Sequence, residues 1–242
     1  MGRLLDTFIR IFSCEPVPVH YRPAPQVEDV GMMRALGETR KGDWVETASG
    51  VRFYPLDPRA EEVSLYDVAH HLSRIGRYNG AFRTEHYSVA EHSVAMAYWM
   101  LEEHRCPFLA YQALFHDAPE AYIGDMVRPL KRNMPDFEAA EEPIYQAVVE
   151  AFPMLWKSHE VCGTTGVGFV LAPLVKEADN RILVDERAQI MHQSGNTWGI
   201  DHLEPLGVVL TGCRPSEAYH RFVTCERELR RLCELEVEVG RA

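Results

Sequence analysis

The sequence predicts a mostly α-helical domain with one small β-hairpin on its N-terminal side. Two short β-prone runs lie between residues 43 and 58, and apolar residues recur at helical spacing through most of the chain that follows. The 242 residues are 46% hydrophobic and 25% charged, which is typical of a soluble globular protein with a single core. We therefore expect one domain over residues 43–242, preceded by an arm over residues 1–42.

The arm and the hairpin are indicated by prolines and by β-prone residues, respectively. The arm contains the stretch PVPVHYRPAP, which favours an extended path over the surface of the domain. The next stretch, DWVETASGVRFYPLDP, places the runs WVET and VRFY on either side of Ala-Ser-Gly. This pattern predicts a short hairpin that ends at a proline.

Capping residues predict where the first two helices begin. Ser64 can cap a helix that runs to about Ile75. Ser88 is followed three residues later by Glu91, which is the signature of a capping box for a second helix over residues 89–104. Both helices carry apolar residues at helical spacing.

A third helix is predicted after Pro107 and extends at least to Asp117. Pro119 leaves its end open, because a proline at that position can also begin a separate short turn. Further helices are predicted at about 137–152, at about 168–193 and from Ser216 to about 236.

The formal net charge of −11 argues against a protein that binds nucleic-acid polymers, because such proteins hold phosphate with pooled Lys and Arg. Local basic clusters nevertheless occur near the candidate site. These clusters could bind a small anionic ligand, or they could simply be solvated residues at helix ends. Their members are Arg74, Arg77 and Arg83, and then Arg128, Lys131 and Arg132.

The six cysteines are scattered without a C-x-x-C pair, which favours free thiols in a reducing compartment and hence a cytoplasmic protein. The N-terminal stretch LLDTFIRIFSC has a faint likeness to a lipoprotein signal, but Asp6 and Arg10 interrupt its apolar core. No apolar run approaches the roughly 20 residues of a membrane-spanning helix, so we expect no membrane association.

Four residues on three predicted helices form a candidate metal site: His92, His116, Asp117 and Asp179. Two imidazoles and two carboxylates suit a divalent cation, and four protein ligands would leave positions open for water and substrate. Each residue also has an ordinary explanation, such as a buried core histidine or a surface ion pair. All four ordinary explanations would have to hold together.

Glu120 and Asp125 are candidate acid and base groups close to this site. Glu120 lies four residues after His116, so a continuing helix would place both on one face. Asp125 follows Gly124, which can reverse the chain and return a second carboxylate. The alternative is that both carboxylates belong to a solvated turn.

The ordered motifs resemble those of the HD-domain phosphohydrolases, in which His, His-Asp and a distant Asp lie on successive helices. The resemblance spans about residues 65–190 and is greatest to bacterial 5'-deoxynucleotidases and phage dATP triphosphohydrolases. The stretches that carry it are AHHLSRIGRYNG, YSVAEHSV, FHDAPEAYIGD with PLK behind it, and EADN.

The resemblance implies an HD-domain helical bundle and assigns roles to the candidate residues. His92, His116, Asp117 and Asp179 would bind the metal, which is Mn, Co, Mg, Zn or Ni, and Glu120 with Asp125 would be the acid/base pair. Substrate would be held by Arg77 on phosphate, Tyr78 against the sugar, and Lys131, Arg128 and Arg132 as further phosphate donors. Tyr78 departs from the Trp of the deoxynucleotidases, which puts selectivity for deoxyribose in doubt.

The implied reaction is hydrolysis of the bond between the 5'-oxygen and the α-phosphorus of a small-molecule nucleotide by a homo-oligomeric enzyme. The basic clusters tilt the prediction towards a triphosphohydrolase that releases nucleoside and tripolyphosphate, with a 5'-deoxynucleotidase as the alternative. Cyclic-dinucleotide phosphodiesterases carry a Gly-Tyr-Pro element and alarmone hydrolases an adjacent Glu-Asp pair after His-Asp, and neither follows His116-Asp117 in this sequence. A non-catalytic nucleotide-binding module is disfavoured because all six site positions are filled.

Overall fold

The computed structural model of this chain describes residues 39–162 and 169–240. Most of the predicted arm therefore lies outside the described residues. Within them, the cysteines are free thiols. No helix in this part of the chain is long and apolar enough to cross a membrane.

The predicted hairpin is confirmed. Strands β1 (Val45–Glu46) and β2 (Arg52–Phe53) pair in antiparallel fashion, with Val45 opposite Phe53. The buried Phe53 ring stacks on Tyr122 at a centroid distance of 4.0 Å. This contact attaches the hairpin to the helical domain.

The fold is mostly helical, as predicted. Short 3-10 segments occur at Ala60–Glu62 and Arg77–Gly80. The α-helices are α1 (Leu65–Leu72), α2 (Val89–His104), α3 (Pro107–Phe115), α4 (Glu120–Ile123), α5 (Arg128–Lys131), α6 (Pro135–Ala151), α7 (Pro153–Val161), α8 (Pro173–Gln189) and α9 (Pro215–Val239).

The core lies where α2, α3 and α9 pack together and where α8 meets α2 and α3. Fully buried side chains on these helices include Met96, Leu114, Ile182 and Phe222. Removing such apolar area from water is the main stabilising contribution to a helical domain. The same packing brings α2, α3 and α8 together, and these are the elements that carry or precede the predicted metal ligands.

The predicted N-caps of α1 and α2 are present, but the capping box predicted for α2 is only half formed. The Ser64 and Ser88 side chains accept hydrogen bonds from the backbone N–H groups of Asp67 and Glu91, respectively. The Glu91 carboxylate does not return to the cap, since it accepts the backbone N–H groups of residues 211–213 instead. Glu91 thereby holds the segment before α9 against α2.

The third helix ends at Phe115, two residues before the predicted minimum. Pro119 has no N–H to donate to the carbonyl of Phe115, so the helical ladder cannot continue. The chain turns through tighter bonds, from Ala118 N–H to the Phe115 carbonyl and from Glu120 N–H to the Asp117 carbonyl, each 3.0 Å long. The separate helix α4 then begins at Glu120.

Other helix boundaries also differ from the predictions. Helix α1 stops at Leu72 rather than about Ile75, and α8 covers Pro173–Gln189 rather than residues 168–193. Pro173 occupies the first turn of α8, where its missing N–H removes no helical hydrogen bond. Helix α7 had not been predicted.

Candidate active site

Two histidine rings face each other between α2 and the end of α3. Nδ1 of His92 lies 2.8 Å from a carboxylate oxygen of Glu186, and Nδ1 of His116 lies 2.7 Å from the carbonyl oxygen of Ala113. When each Nδ1 donates to its acceptor and the ring is neutral, Nε2 presents a lone pair. The two Nε2 atoms are 3.3 Å apart. Two lone pairs at this distance favour a cation between or beside them.

Two aspartates bring oxygen atoms to the same place. Oδ1 of Asp179 lies 3.4 Å from Nε2 of His92 and 3.8 Å from Nε2 of His116. Oδ2 of Asp117 lies 3.1 Å from Nε2 of His116 and 3.7 Å from Nε2 of His92. The structure therefore brings all four predicted ligands together.

This donor set fits a divalent ion. Ligand atoms of His92, His116 and Asp179 all lie within 4.8 Å of one another, and Asp117 stands beside this group. Nη1 of Arg77 contacts Oδ2 of Asp117 at 3.4 Å. Mixed imidazole and carboxylate sites are typical of catalytic divalent metals.

The electrostatics of the group favour bound positive charge. Burial opposes protonation of His116, but Asp117 and Asp179 raise the pKa of its imidazole well above the usual value. Burial also opposes ionisation of Asp117, yet His116 lowers the pKa of that carboxyl to about 2. Hydrogen bonds from His116 and His92 hold the pKa of Asp179 well below its usual value despite burial. Both carboxylates therefore remain charged at neutral pH.

The sequence interpretation missed Glu186, a fully buried carboxylate beside the histidines. It accepts hydrogen bonds from Tyr78 and from Tyr87, the latter at 2.7 Å, and contacts Nε of Arg77 at 3.1 Å. Although burial opposes its ionisation, Arg77 and then His92 lower the pKa of Glu186 to about 2. Glu186 thus orients His92 and holds Arg77 at once.

Arg77 and Tyr78, the residues predicted to hold phosphate and sugar, both contact Glu186 beside the predicted metal ligands. Arg77 is buried and bridges Glu186 and Asp117. Tyr78 adopts a left-handed backbone conformation with φ of 56°, and its ring lies 5.5 Å from that of Trp198. The guanidinium consequently stands at the edge of the four predicted metal ligands, His92, His116, Asp117 and Asp179, which we call the metal group.

The two predicted acid/base carboxyls also lie near this group. Glu120 is buried, and its Oε2 has no hydrogen-bond partner among the described residues. Burial first, and then the charges of Asp117 and Asp125, raise the pKa of Glu120 well above its usual value. Gly124 has φ of 83° and reverses the chain after α4, so that Asp125 returns close enough for Arg77 and Asp117 to influence its pKa, which burial raises.

The second basic cluster is largely engaged with carboxylates. Nη2 of Arg128 contacts Oδ2 of Asp179 at 3.0 Å, so Arg128 covers one of the predicted ligands. Nζ of Lys131 contacts Glu141 at 2.6 Å. Arg132 is exposed.

Arg74 and Arg83 bind backbone carbonyls. Nη1 of Arg74 donates to the carbonyl of His70 within α1. Arg83 donates to the carbonyls of Ala188 and Gln189, which caps the C-terminus of α8. Both arginines therefore satisfy carbonyl groups near the C-terminus of a helix, which is a structural role.

A cavity of about 250 Å³ opens at the metal group and extends between α6 and α8. We refer to it as the cleft. Five carboxylates and two lysines line it, together with apolar and aromatic residues. The lining residues are His116, Asp117, Pro119, Lys131, Glu138, Glu141, Glu142, Tyr145, Leu171, Val175, Lys176 and Asp179.

A helical domain that gathers two imidazoles and two aspartates beside a buried arginine defines a metal-dependent phosphohydrolase of the HD type. Residues 64–158 match the model of the family described as 5'-deoxynucleotidase YfbR-like. The chain is 32% identical to protein YfdR of Escherichia coli over 184 residues, which cover 74% of this chain and 92% of YfdR. It is 36% identical to a Rhodobacter capsulatus protein over 96 residues, or 38% of this chain and 48% of that protein.

The chain belongs to the YfbR-like 5'-deoxynucleotidase family. It is therefore a metal-dependent phosphohydrolase that acts on nucleotides. The His92, His116 and Asp179 group agrees with the use of a divalent metal by this family.

Proposed function

We propose that this enzyme is a 5'-deoxynucleotidase, which hydrolyses deoxynucleoside 5'-monophosphates to deoxynucleosides and orthophosphate. The observation that carries the proposal, beside the family, is the pairing of the cations near the site. Lys131 pairs with Glu141 and Arg128 pairs with Asp179, so neither offers an uncompensated charge to further phosphates.

The charge of the cleft supports the same substrate. Away from the metal group its wall carries three glutamates, Glu138, Glu141 and Glu142, against Lys131 and Lys176. These carboxylates disfavour any phosphate along this wall of the cleft, because like charges at close range repel. A monophosphate keeps its whole charge at the metal group.

In this proposal His92, His116, Asp117 and Asp179 hold the divalent ion, which supplies positive charge to a phosphoryl oxygen when it is bound. Arg77, which contacts the predicted ligand Asp117, donates to the phosphate. Preorganised donors of this kind stabilise the charge that develops in the transition state.

Glu120 and Asp125 each carry out one of the two proton transfers in this proposal. Glu120, whose pKa is raised by burial and by the charges of Asp117 and Asp125, orients the attacking water and accepts its proton as the general base. Asp125, whose pKa is also raised, protonates the departing 5'-oxygen. The products are then the nucleoside and orthophosphate.

The second candidate is the triphosphohydrolase that the sequence favoured. It is supported by the exposure of Arg132 and by the 41% exposure of the Arg128 side chain, which would allow either to meet an outer phosphate. The two candidates share the site and the bond that is cleaved, and they differ in the size of the leaving anion.

The proposal is tested by incubating the purified, metal-loaded protein with each dNMP, dNTP and NMP and identifying both products by chromatography. We expect the highest kcat/KM with a dNMP and release of the deoxynucleoside. A protein that cleaves dNTPs to nucleoside and tripolyphosphate while leaving dNMPs intact would establish the second candidate instead. The Asp117→Ala variant serves as the control for contaminating phosphatases.

A further inference from the structure

Tyr145 places a buried hydroxyl without a hydrogen-bond partner in the wall of the cleft. Only 8% of this α6 residue is exposed, and its hydroxyl has no partner within the part of the chain that the structure describes. Its ring is fixed by an edge-on contact with Phe169, at a centroid distance of 5.4 Å. A buried hydroxyl without a hydrogen-bond partner destabilises the folded protein, so we expect a bound ligand to supply the missing hydrogen bond.

The chemistry of this hydroxyl identifies what it binds. Burial, and then the charges of Asp117 and Glu142, raise the pKa of Tyr145 well above its usual value, so the phenol keeps its proton and acts as a donor. Tyr145 lines the same cleft as His116, Asp117 and Asp179. The ligand atom is therefore an oxygen of the substrate that enters this cleft.

The surroundings of Tyr145 favour a neutral oxygen over a phosphate. Glu138, Glu141 and Glu142 line the same α6 wall, and Lys131 is already paired with Glu141. Phosphate is better held at the metal group, beside Arg77. A deoxynucleoside 5'-monophosphate has one free sugar hydroxyl, at the 3' position.

We propose that the Tyr145 hydroxyl donates a hydrogen bond to the 3'-hydroxyl oxygen of the bound deoxyribose, which makes the α6 wall the sugar side of the cleft. This inference rests on the proposed function, since it concerns the nucleotide in the same site. Tyr145 is then a specificity-determining residue that distinguishes nucleotides with a 3'-hydroxyl from those without one.

The test is a four-way comparison of kcat/KM: wild type and Tyr145→Phe, each with the preferred dNMP and with its 2',3'-dideoxy counterpart. We expect the wild type to prefer the dNMP by about 2- to 12-fold, equivalent to the roughly 0.5–1.5 kcal/mol of a typical hydrogen bond. The Tyr145→Phe variant should lose this preference because its ring cannot donate. Its hydrolysis of p-nitrophenyl phosphate, which has no sugar, should fall less than its hydrolysis of the dNMP.

Tyr111→Phe is the matched control, since Tyr111 is another buried tyrosine, whose hydroxyl donates to Glu226 at 3.0 Å rather than facing the cleft. It should keep the wild-type preference. The inference is overturned if the wild type shows no preference, if Tyr145→Phe keeps it, or if that variant loses p-nitrophenyl phosphate hydrolysis equally. Should the wild type act only on triphosphates, the proposed function fails, and the same comparison with a dNTP and its dideoxy counterpart still tests Tyr145.

Discussion

Nδ1 of His92 lies 2.8 Å from a carboxylate oxygen of Glu186, and neither side chain is exposed to solvent. Through this hydrogen bond Glu186 determines which nitrogen of His92 points towards His116 and Asp179. A carboxylate behind a ligand histidine fixes the orientation of the ring and increases its basicity. The four predicted ligands therefore come from α2, from the turn after α3 and from α8, and Glu186 supports them from two turns further along α8.

The first prediction concerns this carboxylate. Glu186→Gln should weaken binding of the divalent ion by about 10- to 100-fold, since the charge that supports His92 is lost. Competitive titration with a metal-sensitive dye measures the change. The matched control is Asp185→Asn, because Asp185 accepts the backbone N–H groups of Leu206 and Gly207 and lies off the metal group. Equal affinities in Glu186→Gln and wild type would contradict the role of Glu186.

The second prediction concerns the stability of the metal-free protein at acid pH. The pKa of Glu186 is lowered from 4.5 to about 2, so its charged form stabilises the fold above the usual carboxyl pKa, and this contribution is lost as pH falls through about 2. The wild type should exceed Glu186→Gln in free energy of unfolding at pH 6, and this difference should shrink below pH 4.5. Denaturant titrations at a series of pH values test this. A difference that does not vary with pH would mean that Glu186 is not ionised in the folded protein.

The third prediction concerns the inner ligands. His116→Ala and Asp117→Ala should each lose both the bound metal and turnover, because removal of one ligand leaves the coordination sphere poorly filled. Elemental analysis of the purified proteins checks the metal content. His70→Ala, on α1 and outside the metal group, should keep both. Equal metal in the wild type and in the two ligand variants would rule out the assignment.

The fourth prediction separates Glu120 from the ligands. Glu120→Gln should retain the metal and the fold but lose turnover by about 10² to 10⁴-fold, the usual contribution of a general base. An amide has the same shape as this buried carboxyl, so the substitution should disturb the packing little. A variant with near wild-type kcat and normal metal content would show that Glu120 only shapes the turn.

Much of the site could be predicted from the sequence, because its signals are local. His116 and Asp117 are adjacent, and His92 lies among apolar residues at helical spacing behind a recognisable cap. Glu186 was missed although it lies seven residues after Asp179, two turns along the same face of α8. A carboxylate at that spacing from a candidate ligand, on a helix with a buried stripe, is a signal that a sequence can provide.

The partners of the basic residues could not be predicted in this way. Arg128 meets Asp179 across 51 positions of the chain, and Arg83 meets the end of α8 across more than 100. Such pairs depend on how helices pack, so the charge that a basic cluster offers to a ligand cannot be predicted from its sequence alone. Homo-oligomer formation, the cytoplasmic location and the arm over residues 1–42 stay predictions.

The most direct test of the account is a competition experiment followed by phosphorus NMR. Equimolar dNMP and dNTP with the same base are mixed with the metal-loaded enzyme, and their resonances are recorded over time. We expect the monophosphate signal to be replaced by orthophosphate while the triphosphate signals persist. Growth of a tripolyphosphate signal with the monophosphate unchanged would contradict it, as would orthophosphate released from the γ end of the intact triphosphate.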